Sequence, residues 1–364
     1  MTLLHLDGCD NDTIKFDTSN TVSSNLTESV IGGGYSLFFP SAAADFINFA
    51  RKKFRENSIS TETYPQIRFS FWMKTSGNVT SASYIASIRQ NGPSSTNVIL
   101  LRIGTDGKLS LSHLFAYSTP TYSASTTERV DDGNWHHIEI FIKSANDSNG
   151  SYVVYMDGEE DGIFNGDNIA TTFNVPLPTY YDTLFFYNAR GANLYIDDVF
   201  IWDDYTTDNW TGEKGLLKVQ TIRPDSDSVS NSVPSSGATR YNLINQYKAN
   251  TSNSISLGKG HYDLYEFDNV STSIGGTSGT EMLGVATTIV YASQQNANTT
   301  NISFLLSNLT TTNSYYKSET VSPHSSNVSS YESSTKVYFY DPVNNLNWSP
   351  INLNDMKFGI LVGE

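Results

Sequence analysis

The chain is poor in cysteine, in charge and in long apolar runs. Cys9 is its only cysteine, so no intrachain disulfide can form and stability must come from packed cores. No stretch approaches 18 consecutive apolar residues, which excludes a helical membrane span on sequence grounds. Residues Met1 to Cys9 carry neither a basic stretch nor an apolar one, so no export signal is expected there. Charged residues make up 16%, against roughly 25% in ordinary soluble domains. Basic residues are the scarcer kind: 22 Lys and Arg face 37 Asp and Glu, a formal net charge of −15. A chain so acidic is repelled by phosphate backbones and anionic lipid, so neither nucleic acid nor membrane insertion is expected of it.

Polarity comes instead from Ser, Thr and Asn, and bulk from 22 Tyr and 19 Phe in 364 residues. Aromatic and β-branched residues suit pleated surfaces and fit poorly with helical bundles or disorder. Strand signals recur along the chain. Ile67, Phe69, Phe71 and Met73 alternate with Arg68, Ser70, Trp72 and Lys74, the period of a strand with one buried face. Val98 to Ile103 is a near-continuous apolar run. Leu109 to Leu111, Leu184 to Tyr187 and Leu194 to Trp202 follow the same logic. In Asp132-Gly133-Asn134-Trp135-His136-His137-Ile138 a turn leads into an alternating strand. A second strand, Tyr152 to Met156, runs into Asp157-Gly158, the dipeptide that a tight hairpin with two positive-φ positions prefers. Residues 41–57 are ambiguous between a short helix and a strand.

These pieces, in this order, resemble the laminin-G/concanavalin-A-like family. Leu3 to Gly8, Gly32 to Phe39, Phe69 to Lys74, the 132–158 pair and Tyr195 to Trp202 carry the likeness over residues 1–205. It implies a jelly-roll β-sandwich and places Asp45 to Ala50 on a strand. Residues 206–215 are polar and turn-rich and read as a linker. Residues 216–364 read as a second β-sandwich, with strands at Leu283–Tyr291, Ile302–Leu306, Val337–Tyr340 and Lys357–Leu361. A short helix is expected from Pro350 through Met356, with Ser349 as its N-cap. Trp210 to Pro224, Thr239-Arg240-Tyr241 and Trp348 to Gly359 resemble a domain that recurs in tailed-bacteriophage virion proteins. The fold class expected is therefore all-β, two sandwiches in series.

The second resemblance implies a non-enzymatic structural protein on the outer surface of a phage capsid or tail. Such a protein would be made in the host cytoplasm, contact other virion proteins and form a homo-oligomer. A rival reading is an adhesin or receptor-binding protein that recognises host glycan. The third is a glycan hydrolase. Laminarinases, which share the concanavalin-like fold, carry a Glu-x-Asp-x-x-Glu strand. Here Glu159-Glu160-Asp161 has the wrong spacing and Glu266-x-Asp268 lacks the third acid, so no catalytic pair is expected. His136 and His137 are neighbours on a strand, point to opposite faces and cannot easily share a metal.

Two candidate sites remain. Tyr117, Tyr122, Tyr180 and Tyr181 lie in Ser/Thr/Pro-rich loops, where exposed rings could stack on sugars. Asp7 and Asp10 sit in an acidic loop. The concanavalin-like resemblance puts it beside Asp197 and implies a structural Ca²⁺ held by these three residues, since Ca²⁺ takes carboxylate and carbonyl oxygens.

Overall fold

The computed structural model describes residues 2–7, 9, 18–25, 28–30, 35–53, 66–89, 98–114, 121–143, 151–165, 181–203, 219, 222–236, 239–244, 254–258, 260–268, 282, 284–291, 301–308, 315–321, 332–338 and 340–363. The chain divides into two compact units, Met1–Val219 and Gln220–Glu364. The expected linker, 206–215, lies outside the described residues. Both units are all-β.

The strands of the first unit are β1 (Thr2–Asp7), β2 (Thr18–Asn20), β3 (Ser23–Asn25), β4 (Ser36–Phe39), β5 (Phe49–Lys53), β6 (Gln66–Thr75), β7 (Ser83–Arg89), β8 (Val98–Ile103), β9 (Leu109–Leu114), β10 (Thr121–Ser125), β11 (His136–Lys143), β12 (Ser151–Met156), β13 (Glu159–Asn165), β14 (Thr183–Tyr187) and β15 (Leu194–Asp203). They form two antiparallel sheets. One is eight-stranded, in the order β13-β12-β11-β6-β15-β4-β3 with β1 also on β15. β1 pairs with the Val199–Asp203 half of β15, and β4 with the Leu194–Ile196 half. The other is seven-stranded, β10-β9-β8-β7-β14-β5-β2. The alternation read in the sequence decides which side chains meet between the sheets. Ile67, Phe69, Phe71 and Met73 of β6 and Ile138, Ile140 and Ile142 of β11 are buried, as are Ile99, Leu101 and Ile103 of β8 and Leu184 and Phe186 of β14. Each such side chain contributes about 1.5–3 kcal/mol by leaving water.

The family resemblance puts Asp45 to Ala50 on a strand, and here the structure differs. The strand starts only at Phe49, and Asp45–Asn48 form a turn. Paired asparagines account for it. The Asn48 N–H donates to Asn188 Oδ1 at 2.9 Å, and Asn188 Nδ2 donates to the Ala44 carbonyl at 3.0 Å. Asn48 Nδ2 also donates to the Pro40 carbonyl at 2.8 Å. Side chains thus take the backbone partners that a neighbouring strand would otherwise take.

The second unit comprises β16 (Pro224–Val229), β17 (Val233–Pro234), α1 (Arg240–Ile244), β18 (Ile255–Ser256), β19 (Tyr262–Phe267), β20 (Val285–Tyr291), β21 (Ile302–Asn308), β22 (Tyr315–Val321), β23 (Glu332–Tyr338), β24 (Tyr340–Asp341), β25 (Leu346–Asn347), α2 (Pro350–Asn354) and β26 (Met356–Val362). A five-stranded sheet, β16-β19-β26-β21-β22, shares a core with the β20–β23 ribbon: Leu306, Met356 and Phe358 cluster with Tyr338, Trp348 and Leu353. α2 begins as expected. Ser349 Oγ accepts from the Asn352 N–H, and Asn352 Oδ1 accepts from the Ser349 N–H, which closes a reciprocal cap. It ends at Asn354, short of Met356, because Met356 already belongs to β26 and is buried in the core. α1 has no sequence signal. The Asp227 carboxylate accepts the Arg240 and Tyr241 N–H groups, and so satisfies a helix start from a distant strand.

Candidate functional site: a ring and arginine face

The strongest motif in the sequence proves to be a structural lock. Asp157 (φ 54°) and Gly158 (φ 89°) make the expected tight turn between β12 and β13. Asp157 Oδ1 accepts the His137 N–H at 2.8 Å, and its Oδ2 meets His136 Nδ1 at 2.8 Å. His136 Nε2 meets Asp132 Oδ1 at 3.0 Å. One imidazole therefore ties the 132–134 turn to the hairpin. His137 points the other way, is fully buried, and lies 5.2 Å from the Trp72 ring. Glu139 lies on the face of β11 opposite Ile138 and Ile140. It pairs with Arg68 at 2.8 Å, and both are buried.

The outward face of the seven-stranded sheet has a different character. Alternation that sends Leu184 and Phe186 into the inter-sheet core turns Phe185 and Tyr187 to the opposite face of β14, where they are nonetheless buried, 6% and 2% exposed. Phe185 stands opposite Arg51 of β5 and Ser87 of β7, and Tyr187 opposite Phe49. Tyr84 of β7 stands opposite Arg102 of β8, and Arg89 ends β7 opposite Thr183. The Arg89 guanidinium lies 4.3 Å from the Phe185 ring centre and donates to Tyr187 Oη at 2.8 Å. Tyr187 Oη also meets Ser87 Oγ at 2.7 Å. Burial raises the Tyr187 phenol above its ordinary value, so it stays neutral.

Phe46 projects beside these rings from the turn that precedes β5. Its φ is +65°, a left-handed backbone that costs a residue with Cβ about 1–2 kcal/mol. Even so it is 45% exposed. Its ring lies 5.5 Å from Tyr84, nearly parallel at 15°, and 4.7 Å edge-on from Tyr187. The asparagine bonds of this turn hold it, and Asn20 Nδ2 adds a bond to the Ile47 carbonyl at 2.8 Å. Next to it, Asp45 pairs with Arg190 at 2.7 Å. Burial raises the Asp45 carboxyl, against the pull of Arg190 and Arg102. Backbone strain of this kind clusters at ligand clamps and switch regions. The ring offers a flat apolar surface.

Of the tyrosines expected to meet sugars, Tyr181 is corrected: it is 2% exposed and belongs to the first unit's core, so its ring cannot stack on a ligand. Tyr117 and Tyr180 lie outside the described residues. Tyr122 lies on edge strand β10, and its side chain is outside them too. Sequence reasoning missed Phe46, Tyr84, Arg89 and Tyr187. The one signal was the run Thr183–Tyr187, which is apolar on both faces of a single strand.

The expected Ca²⁺ position can be tested against the donors. β1 does run beside β15, with Asp7 opposite Val199. Asp197 sits where β15 bulges away from β6. It is buried, and its Oδ2 accepts the Val30 N–H at 3.0 Å and its Oδ1 the Asp198 N–H at 2.8 Å. Among the described residues no three His, Cys, Asp or Glu side chains converge as metal ligands. Asp10 and the Asp7 side chain lie outside the described residues. The Asp197 carboxylate thus holds the β15 bulge.

A family profile described as the Concanavalin A-like lectin/glucanases superfamily matches residues 54–210. With the two-sheet topology, it establishes the first unit as a concanavalin A-like sandwich. No curated protein matches the chain. Similar solved structures include an endo-β-1,4-glucuronan lyase from the fungus Trichoderma reesei, 15% identical, covering 55% of this chain and 95% of that one at a TM-score of 0.40. Another is a structure of botulinum neurotoxin type C concerned with its interaction with two ganglioside molecules: 12% identical, covering 51% of this chain and 43% of that one, TM-score 0.35. The botulinum neurotoxin type G receptor binding domain is 12% identical, covering 51% and 42%, at 0.33.

Proposed function

We propose that this chain is a non-enzymatic carbohydrate-recognition protein, and that its first unit binds host-surface glycan on the outward face of the seven-stranded sheet. Phe46 carries the reading, because its ring is exposed at the cost of backbone strain beside two tyrosines. The lectin-like fold of the unit is in keeping with it. The setting we propose is the outer surface of a tailed-phage particle, as the sequence resemblance of the second unit implies. Affinity electrophoresis through gels containing host capsular or cell-wall polysaccharide tests the binding. Phe46→Gly is the informative variant, because glycine adopts φ +65° without strain and only the ring is lost. It should fold normally and bind about tenfold more weakly, a loss of about 1.4 kcal/mol. Unchanged migration of the variant, or no retardation of the wild type in any host polysaccharide, would sink the reading.

A second reading, a decoration protein that makes mainly protein contacts as a homo-oligomer, has an observation of its own. In the second unit Tyr340, Leu346 and Ile351 are 61%, 59% and 79% exposed. They fall within twelve consecutive residues that include the β24–β25 hairpin and the start of α2. Density for the chain in a reconstruction of purified virions, with these three side chains at a contact, would support it. Absence from purified particles would remove the virion setting altogether.

A further inference from the structure

The ring of Phe46 is presented only while its turn holds a strained shape, so the groups that fasten the turn govern binding, on the glycan-binding reading of this ring. A backbone at φ +65° relaxes unless its surroundings over-determine it. The fastening comes from one short segment, residues 188–190, between β14 and β15. Ahead of the ring, Arg190 donates to Asp45 Oδ2 at 2.7 Å, and Asn188 Nδ2 donates to the Ala44 carbonyl at 3.0 Å. Behind it, the Asn48 N–H donates to Asn188 Oδ1 at 2.9 Å, and the Asn188 N–H donates to the Asn48 carbonyl at 3.1 Å. The segment is itself tied to β7 and the turn before it. The Arg190 N–H donates to Ser83 Oγ at 2.9 Å, and the Arg190 carbonyl accepts the Thr80 N–H at 3.1 Å. Gly191 (φ 79°) lies so close that a Cβ there would stand 2.1 Å from Thr80 Oγ1. Tyr84, which stacks on Phe46, is the residue after Ser83. Stacking partner and fastener thus share one anchor, β7.

The asparagine bonds are indifferent to pH, and the Asp45–Arg190 bond is not. The Asp45 side chain is 10% exposed and that of Arg190 33%. A charge-assisted bond is about twice as strong as a neutral one, so a proton on Asp45 weakens the hold ahead of the ring. We infer that Asp45 and Arg190 are positioning residues for Phe46, and that the glycan is held while the Asp45 carboxylate is ionised and released in acid. Among the described residues, Arg190 of the loop after β14 and Arg102 of β8 are the charges that act on Asp45, and Tyr84 of β7 acts through its backbone. Burial outweighs both arginines and raises the carboxyl above its ordinary 3.8, which brings the release to milder acid. A raised carboxyl takes up its proton more readily in the folded chain than in the unfolded one, so this protonation favours folding as pH falls. Loss of binding in acid is therefore separable from loss of the fold. With Asp45 neutral the turn populates relaxed conformers, and affinity falls with the fraction that still presents the ring.

Two readouts on the full chain test this. Hydrogen exchange of peptides covering residues 44–48, corrected for the intrinsic pH dependence, reports the turn without any ligand. Affinity electrophoresis through gels of host capsular or cell-wall polysaccharide, from neutral pH down to the ordinary carboxylate range, reports binding. Asp45→Asn, which keeps the shape and removes the charge, should melt no lower than the wild type, exchange faster at 44–48 and bind about fivefold more weakly. Arg190→Lys, which keeps the charge without the fork, should fall between wild type and Asp45→Asn. Wild-type retardation should weaken toward that of Asp45→Asn as pH falls, while the variant's own retardation stays level. In a Phe46→Gly background Asp45→Asn should cost nothing further, because it acts through the ring. A further loss there would make Asp45 a direct ligand contact and overturn the positioning role. Binding lost only together with melting temperature would reduce the pair to a support of the fold. Unchanged exchange in Asp45→Asn, or equal retardation of variant and wild type, would overturn the inference and leave glycan binding at Phe46 standing. No retardation of the wild type in any gel would remove the glycan reading and the inference with it.

Discussion

At the scale of single residues, chemistry and fold compete for the same side chains. His136 shows the fold winning. Burial draws its pKa down, but the bonds to Asp157 and Asp132 outweigh burial and raise it above its ordinary 6.5. Burial pushes Asp132 up, yet the bonds from Asn134 and His136 hold it at about 2. The histidine contribution is complete below about pH 6.5 and lost as pH rises through the raised value. The aspartate contribution is complete above about pH 4 and lost as pH falls toward 2. The clamp is therefore strongest between about pH 4 and 6.5. Urea midpoints should fall as pH rises above about 6.5 in the wild type, and this slope should flatten in His136→Gln. A slope unaffected by the substitution would show that the clamp carries no stability. Phe46 shows the opposite outcome, with strain retained where a ring is presented. Neither is legible in the sequence. A motif search marks His136 as notable without saying that its partners lie in two turns, and no pattern of residue types encodes a positive φ at Phe46.

At the scale of elements, legibility follows burial. β6, β8, β11 and β15 are readable because one or both faces are apolar, and the sequence period reports that directly. β2, β3, β17 and β18 are only two or three residues long, too short to show a period. They exist because a neighbouring strand offers backbone partners, and no local pattern announces them. The Asp45–Asn48 turn belongs to the same class, since asparagines 140 residues apart determine it. Close strand approach is likewise invisible until the sheet is built. Gly359 of β26 sits so near β19 that a Cβ there would lie 1.9 Å from the Asp263 carbonyl oxygen. Gly359→Ala must push the two strands apart, and overpacking of this kind costs about 1–3 kcal/mol. Chemical denaturation should show that loss. A neutral result would mean that β19 and β26 yield more easily than a paired sheet should.

At the scale of the molecule, each unit has a hydrophobic cluster of its own. Separate cores melt separately unless an interface couples them. Differential scanning calorimetry should resolve two transitions, and Gly359→Ala should move one and leave the other in place. A single transition displaced as a whole would mean that the units unfold as one. The order of strands matters for biosynthesis. β14 joins β7 to β5 in one sheet, and β15 joins β6 to β4 and β1 in the other. Both linking strands are the last described strands of their unit to leave the ribosome. Until residue 203 has emerged, the nascent chain holds half-sheets with open edges and a bare apolar face. Pairing so remote in sequence is slow to close, so the interval before those two strands arrive is when the chain most needs chaperone cover.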